Sequence, residues 1–389
     1  MTPIHSDILI AREHDRDALR RALRTGSVEQ LRRGAYRAAR GGAAPTDRFH
    51  AARDQAVARV VAVGRQLGEA CVSHESAALL HGLRLWRLPT QVHVVQGYNP
   101  SSASAPDIAR HRVTLDDHER AVIGGVVTTS LPRTVADCLA TLHPLRALVI
   151  ADHALASGMD RAAASGCVDA RRDPRGRRRA QLVLQLADSG AESAWESWLR
   201  YAVLRADLPR PTTQLPVWTP YGAYRADLGW EGFRLLAEFD GRVKYRPGAL
   251  GAGYDAERAL FDEKRREDHI REDGWSVVRV TSSDTPDQAV ARIARRMPES
   301  ARERMRLVRL LPHPSTDRPW GGGSGGGGGP RGRGAPPPPR AFIAFWGRDR
   351  QPGLPITRPT ADHAAPSLAG HSYTGGYPIL PRRVGSARS

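Results

Sequence analysis

Residues 224–245 read YRADLGWEGFRLLAEFDGRVKY, and they put two apolar extended runs, four acids and a lysine within the length of one hairpin. Arg225 to Trp230 and Arg234 to Asp240 have strand character, and Glu231-Gly232 between them favours a turn. Alternate residues of a strand share a face, so Glu238 and Asp240 point the same way. A turn of three or four residues sets Asp227 opposite Glu238 or one position off. Carboxylates gathered like this repel one another, and a hard divalent cation held by oxygen ligands is the common remedy. The pattern therefore makes Asp227, Glu238 and Asp240 candidate ligands for Mg²⁺ or Mn²⁺, which would activate water and clamp a phosphate.

Lys244 belongs to the same stretch. The chain has 58 basic residues, and Lys244 and Lys264 are its two lysines. Lysine is a compact point charge that can sit beside a nucleophilic water or a leaving phosphate. The alternative is two chance lysines on a solvated surface.

Around this hairpin stand an acidic helix start, AESAWESWLR (191–200), and a charged helix, EKRREDHIRE (263–272). A closing strand follows, GWSVVRVT (274–281). Together with RADLGW and LLAEFDGRVKY, these segments resemble the domain-of-unknown-function 559 family, which is related to very-short-patch repair endonucleases of the PD-(D/E)xK superfamily. The likeness runs from about Gly190 to Arg295 and implies a restriction-endonuclease-like fold and metal-dependent endonuclease activity. It implies Glu196 as the helix carboxylate, Asp227 as the central metal ligand, Glu238 and Asp240 as the second acidic pair, and Lys244 as the late basic group. The usual pattern ends in an acid, any residue, then lysine, whereas here Asp240 holds the third position and Lys244 follows four residues later. Very-short-patch relatives carry histidines in this region, and this chain has none between His153 and His269.

The length of 389 residues suggests two or three domains. A net charge of +17 favours polyanionic partners such as DNA, through phosphate neutralisation and counterion release. Residues 315–389 hold ten arginines and three acids, which leaves about +10 on the rest. Cys71, Cys138 and Cys167 show no CxxC spacing, so neither a cysteine zinc site nor a disulfide framework is indicated, and a reducing cytoplasm fits. The first residues lack the apolar core of a signal peptide, and no run approaches the roughly 20 apolar residues of a spanning helix. A soluble chain without a membrane partner is expected.

Residues 1–45 read as a helix followed by a small hairpin. Asp15 is placed to cap a helix to Thr25, with Ala18, Leu19, Ala22 and Leu23 inside and Arg16, Arg20, Arg21 and Arg24 outside. Gly26 stops it, and Val28 to Arg37 forms two strands about Arg33-Gly34. This is a winged-helix pattern, in which the helix arginines and the wing residue Arg33 contact DNA; a charged helix that merely solvates a small domain is the alternative. DALRRALRTGSVEQLRRGAYR resembles the N-terminal winged helix of AbiEi-type antitoxin and regulator proteins.

Residues 46–160 form a middle block. Its opening helix, Arg53 to Leu67, buries Val57, Val60, Val61 and Val63, and Ser73 is a natural N-cap for the helix that follows. His74 and His81 lie seven apart on that helix, and without a third ligand they read as packing. His111, Asp116, Asp117 and His118 are ligand types in a loop whose spacing matches no metal motif. Ser130, Arg133 and Asp137 read as a helix start with a salt bridge. VSHESAALLHGL and TTSLPRTVADCL resemble the central domain of AbiEi-like proteins, for which a scaffold or partner-docking role, with a cognate toxin as partner, is expected.

Residues 161–189 are a basic helical connector broken at Pro174 and Gly176, either brushing phosphate or simply solvated. Residues 190–300 are the restriction-endonuclease-like unit. There Trp195 and Trp198 read as core, and Lys264 and Arg265 as DNA contacts or members of a salt-bridged surface. Residues 315–389 have the composition of a disordered tail, rich in Gly, Pro and Arg. The expected architecture is α/β, α+β overall, in three parts. The expected function is metal-dependent DNA cleavage; the alternative is a non-catalytic DNA-binding regulator or antitoxin.

Overall fold

Asp15 begins the first helix, because its side chain accepts from the Ala18 backbone N–H at 2.7 Å. In the computed structural model the described residues are 7–39, 48–97, 105–240 and 256–314; Lys244 and the segment 315–389 lie outside the described residues. The first module comprises β1 (Ile8–Ile10), α1 (Arg16–Arg24), β2 (Val28–Arg32) and β3 (Ala35–Ala38). The strands pair antiparallel in the order β1-β3-β2, with Gly34 at a φ of 76° making the turn between β2 and β3. The inner face expected for α1 is narrower than its apolar positions suggest. Leu19 is buried, Ala22 is half-buried, and Ala18 and Leu23 face solvent, because the helix packs chiefly against β2. Buried Arg37 ties the module to the next helix by pairing with Asp7 at 2.8 Å and Asp54 at 2.6 Å.

The middle block opens with α2 (Arg48–Leu67), β4 (Cys71–Val72), α3 (His74–Leu80), β5 (Val92–Gln96) and β6 (Ile108–Arg112). It continues through β7 (Arg120–Ile123), β8 (Val126–Thr129), α4 (Leu131–Thr141), α5 (Pro144–Ala156), α6 (Arg161–Asp169) and α7 (Arg177–Leu186). Its five-stranded mixed sheet has the order β6-β5-β4-β8-β7. Val60, Val61 and Val63 of α2 are buried as their spacing predicts, and Val57 is half-buried against the same core. Arg133 bonds Asp137 at 3.0 Å and Glu119 at 2.6 Å, the ion pair expected of that helix start. The connector is more firmly seated than a solvated linker: Arg171 bonds Asp137, and buried Arg179 donates to the Ala140 carbonyl at 2.8 Å.

The last unit comprises α8 (Ala194–Arg205), β9 (Thr212–Thr219), β10 (Gly222–Trp230), β11 (Leu235–Asp240), α9 (Ala256–Glu272), β12 (Ser276–Thr281), α10 (Pro286–Ala294) and α11 (Glu299–Arg302). The sheet order is β12-β11-β10-β9; β11 and β12 run parallel and the other pairs antiparallel. Strand β11, LLAEFD, is apolar on both faces up to its acids, as a central strand covered on both sides must be. Leu228, Trp230, Leu235, Ala237 and Phe239 join the main core, whereas Leu215, Leu236, Val277 and Ile270 form a second cluster beneath α9. The sheet is thus a middle layer, with α8 and α10 on one face and α9 on the other.

The main core takes in residues from Ile8 to Leu311. Eleven α-helices and three sheets, mixed or antiparallel, among the described residues make the fold α+β. No described helix is long and apolar enough to cross a membrane.

Candidate functional site

β10 and β11 pair antiparallel from Leu228↔Ala237 to Trp230↔Leu235, and Asp227 and Glu238 each lie one residue beyond the first of these pairs. Glu238 lies on the face that α9 covers, where Arg266 reaches it, and Asp240 follows one pleat further along the strand. Asp227 is 1% exposed and Glu238 is 5% exposed. Asp227 Oδ2 accepts from the Phe239 backbone N–H at 2.8 Å, which fixes the carboxylate at the point where β11 leads into the acids.

Arginines supply positive charge to this face. Arg266 of α9 donates through Nη2 to Glu238 Oε1 at 2.5 Å, and its guanidinium lies 5.8 Å from the centre of the Tyr224 ring. Arg279 of β12 approaches Asp240 at 3.9 Å and bonds Glu267 at 3.0 Å. These long-range partners were not legible in the sequence, since each comes from an element joined to the hairpin by a crossover. Glu196 lies in the first turn of α8, beside Gln214 of β9. It accepts from the Glu192 N–H at 2.8 Å and from Gln214 Nε2 at 2.9 Å, and its own N–H is capped by Ser193. The structure therefore places Glu238 and Asp240 where arginines meet them, and holds Asp227 on the neighbouring strand β10.

An aromatic ledge borders the acids. Tyr221, 61% exposed, stacks on His269 with ring centres 4.0 Å apart, and the Tyr224 hydroxyl meets His269 Nδ1 at 3.0 Å. Lys264 and Arg265 are exposed on α9. In the first module Arg16, Arg20, Arg21, Arg24 and Arg33 are all exposed, and Arg20 pairs with Asp17 at 3.2 Å.

A second constellation escaped the sequence analysis. Among the described residues, the one group of His, Cys, Asp and Glu with all its ligand atoms within 4.8 Å of one another is His74, His93 and His111. His74 starts α3, His93 lies on β5 and His111 on β6. The pair suggested by helical spacing does not form, because His81 turns to the Thr129 carbonyl at 2.8 Å. Ser73 does not cap α3 with its hydroxyl; Ser73 Oγ meets His74 Nδ1 at 2.9 Å instead. His93 Nδ1 lies 3.0 Å from His111 Nε2, and the rings of His74 and His111 stack at 3.9 Å. Burial drives His74 well below the ordinary imidazole range and His93 down to about 4, with the neighbouring histidines and arginines pushing the same way. Burial also lowers His111, against the pull of Asp137. The signal in the sequence was three histidines on three elements, and only the parallel β5–β6 pairing reveals that they meet.

No protein-family model matches the chain. Over 182 residues it is 32% identical to two curated proteins of Mycobacterium tuberculosis, uncharacterized protein MT2308 and uncharacterized protein Rv2248, and the match takes in 45% of this chain. The chain spans 63% of the length of those relatives. It is also similar to the crystal structure of the RV2827C protein of Mycobacterium tuberculosis, with a TM-score of 0.30 and 16% identity over 55% of this chain and 84% of that chain.

Proposed function

We propose that the chain is a DNA-acting protein of the bacterial cytoplasm whose β9–β12 unit is a restriction-endonuclease-like module that hydrolyses phosphodiester bonds with Mg²⁺ or Mn²⁺. The observation that carries this reading is that two buried carboxylates, Asp227 and Glu238, lie on adjacent strands of one sheet. Their chemistry fits the cation. Mg²⁺ keeps several waters and takes one or two protein carboxylates together with substrate phosphate, so Asp227 and Glu238 suffice, with Asp240 beside them. When bound, such a cation supplies an activated water and neutralises charge on the phosphate.

The chain's own groups prepare the site. Phe239 N–H orients Asp227, and Arg266 holds Glu238 against the sheet. Both Arg266 and Arg279 present guanidinium groups suited to phosphate oxygens. Tyr221 on its His269 support offers a face on which an unpaired base can stack. Lys244 is the basic group this reading assigns to charge stabilisation.

The second reading, a DNA-binding regulator or AbiEi-type antitoxin that docks a toxin through its middle block, is favoured by one observation. Glu238 and Asp240 already face arginine counter-charges, so these two acids are partnered without a cation. Incubating supercoiled plasmid with the purified protein and Mg²⁺ or Mn²⁺, beside Asp227→Asn and Glu238→Gln, separates the two. Nicking that disappears in both variants supports the nuclease. Retarded but uncut plasmid, single strand and mismatched duplex would reject it and leave the regulator.

A further inference from the structure

His74, His93 and His111 converge from three separate elements of the middle block and share no residue with the acidic hairpin. We propose that they form a binding site for one divalent transition cation of the zinc class, oriented by Ser73.

The spacing of the ring nitrogens, all within 4.8 Å of one another, is close to what such a cation requires, and the stacked His74 and His111 rings would turn for their lone pairs to converge on it. Zn–N bonds of about 2.0–2.1 Å in a tetrahedron put two ligand nitrogens roughly 3.3 Å apart. His93 Nδ1 and His111 Nε2 are 3.0 Å apart, so a small opening of that pair admits the ion. Ligating histidines characteristically give their other ring nitrogen to an oxygen partner. Ser73 Oγ takes that part for His74 through Nδ1 at 2.9 Å, which leaves Nε2 to the cation.

The frame is prepared on both sides of His93. The Ser73 N–H donates to the His93 carbonyl at 2.9 Å, and the His93 N–H donates to Ser76 Oγ at 2.9 Å. These bonds lock the start of α3 to β5. His74 also sits at a φ of 51°, a conformation rare for a residue with a side chain and concentrated where function demands it.

Charge around the site is matched. Arg133 pairs with Glu119 and Asp137, Arg146 with Glu75, and Arg171 with Asp137, so the shell holds three arginines and three carboxylates. Neutral imidazole is a borderline ligand that suits Zn²⁺, Co²⁺, Ni²⁺ and Cu²⁺ and is poor for Mg²⁺. Three protein ligands leave a fourth position to water. The cation would then fasten β6, an edge strand, to β5 and α3.

The test uses the full chain, stripped with EDTA and titrated with Zn²⁺, with bound metal counted by mass spectrometry and affinity read by calorimetry. One zinc per chain is expected. His111→Gln and His93→Gln should each weaken binding about 100-fold, and Ser73→Ala about 10-fold. Asp227→Asn should leave zinc binding unchanged, so failure of the nuclease reading would not touch this result. Should a histidine variant fail to fold, zinc-edge X-ray absorption on the wild-type protein counts the imidazoles directly, three being expected. The site is rejected if the wild type takes up no stoichiometric zinc. It is equally rejected if His111→Gln and His93→Gln bind as the wild type does, if Asp227→Asn abolishes binding, or if the absorption spectrum shows fewer than three imidazoles.

Discussion

Asp152 of α5 and Arg200 of α8 form an ion pair sealed from solvent, with 2.5 Å between Oδ1 and Nη2 and exposures of 0% and 2%. Asp152 also accepts from Ser197 Oγ at 2.6 Å and from the Asp188 N–H at 2.8 Å, and Arg200 donates to the Leu186 carbonyl at 2.5 Å. One carboxylate thus joins the helix of the middle block to the helix that backs the β9–β12 sheet. Removing one partner of such a pair strands a buried charge. Asp152→Ala should lower the unfolding free energy by about 3–5 kcal/mol, whereas Asp152→Leu combined with Arg200→Met should lose much less. Urea unfolding of both variants checks this; equal losses would show that the pair's charge is not what matters.

Arg266 is the counter-charge for Glu238, so Arg266→Gln should destabilise the protein by about 1–3 kcal/mol. The acidic face then lacks that guanidinium, and a divalent cation becomes the substitute. Mg²⁺ should raise the melting temperature of Arg266→Gln more than that of the wild type, by preferential binding to the folded state. Equal shifts in a thermal melt would count against a cation site on this face.

Tyr221 stands out from the β9–β10 turn with its ring supported by His269. A stacked base contributes about 1–3 kcal/mol, so Tyr221→Ala should weaken single-stranded DNA binding about 10-fold or more without lowering the melting temperature. Fluorescence anisotropy with a labelled oligonucleotide reads the change. Unaltered affinity would remove the ledge from the DNA-binding surface.

His153 accepts the Arg84 backbone N–H at 3.3 Å through Nδ1, and burial, with Arg84 and Arg53 nearby, lowers its pKa to about 4. An unfolded chain holds the same histidine near about 6.5 and binds the proton first as pH falls. The stabilising contribution is therefore complete above about pH 6.5 and is lost progressively toward pH 4. His74, His81, His93 and His111 are lowered too and add with the same sign. The urea midpoint should drop between pH 7.5 and pH 5, and His153→Gln should flatten part of that dependence.

Whatever depends on neighbours in the chain was readable in advance. Alternation and the Glu231-Gly232 turn gave the antiparallel β10–β11 hairpin. Asp15 capped α1, Gly34 turned β2 into β3, and Arg133 met Asp137 one helical turn away. Spacing misled where burial depends on what an element packs against: Ala18 and Leu23 have core periodicity yet face water, because α1 rests chiefly on β2.

By itself the sequence determined the α+β class, the order of the elements and the shared face of Glu238 and Asp240, because strand period, turn chemistry and capping act over a few residues. Only the tertiary structure decided that Arg266 answers Glu238, that Glu196 meets Gln214, and that three histidines meet. Those contacts depend on parallel pairings and helix packing between distant segments, and such closures leave no local period in the chain.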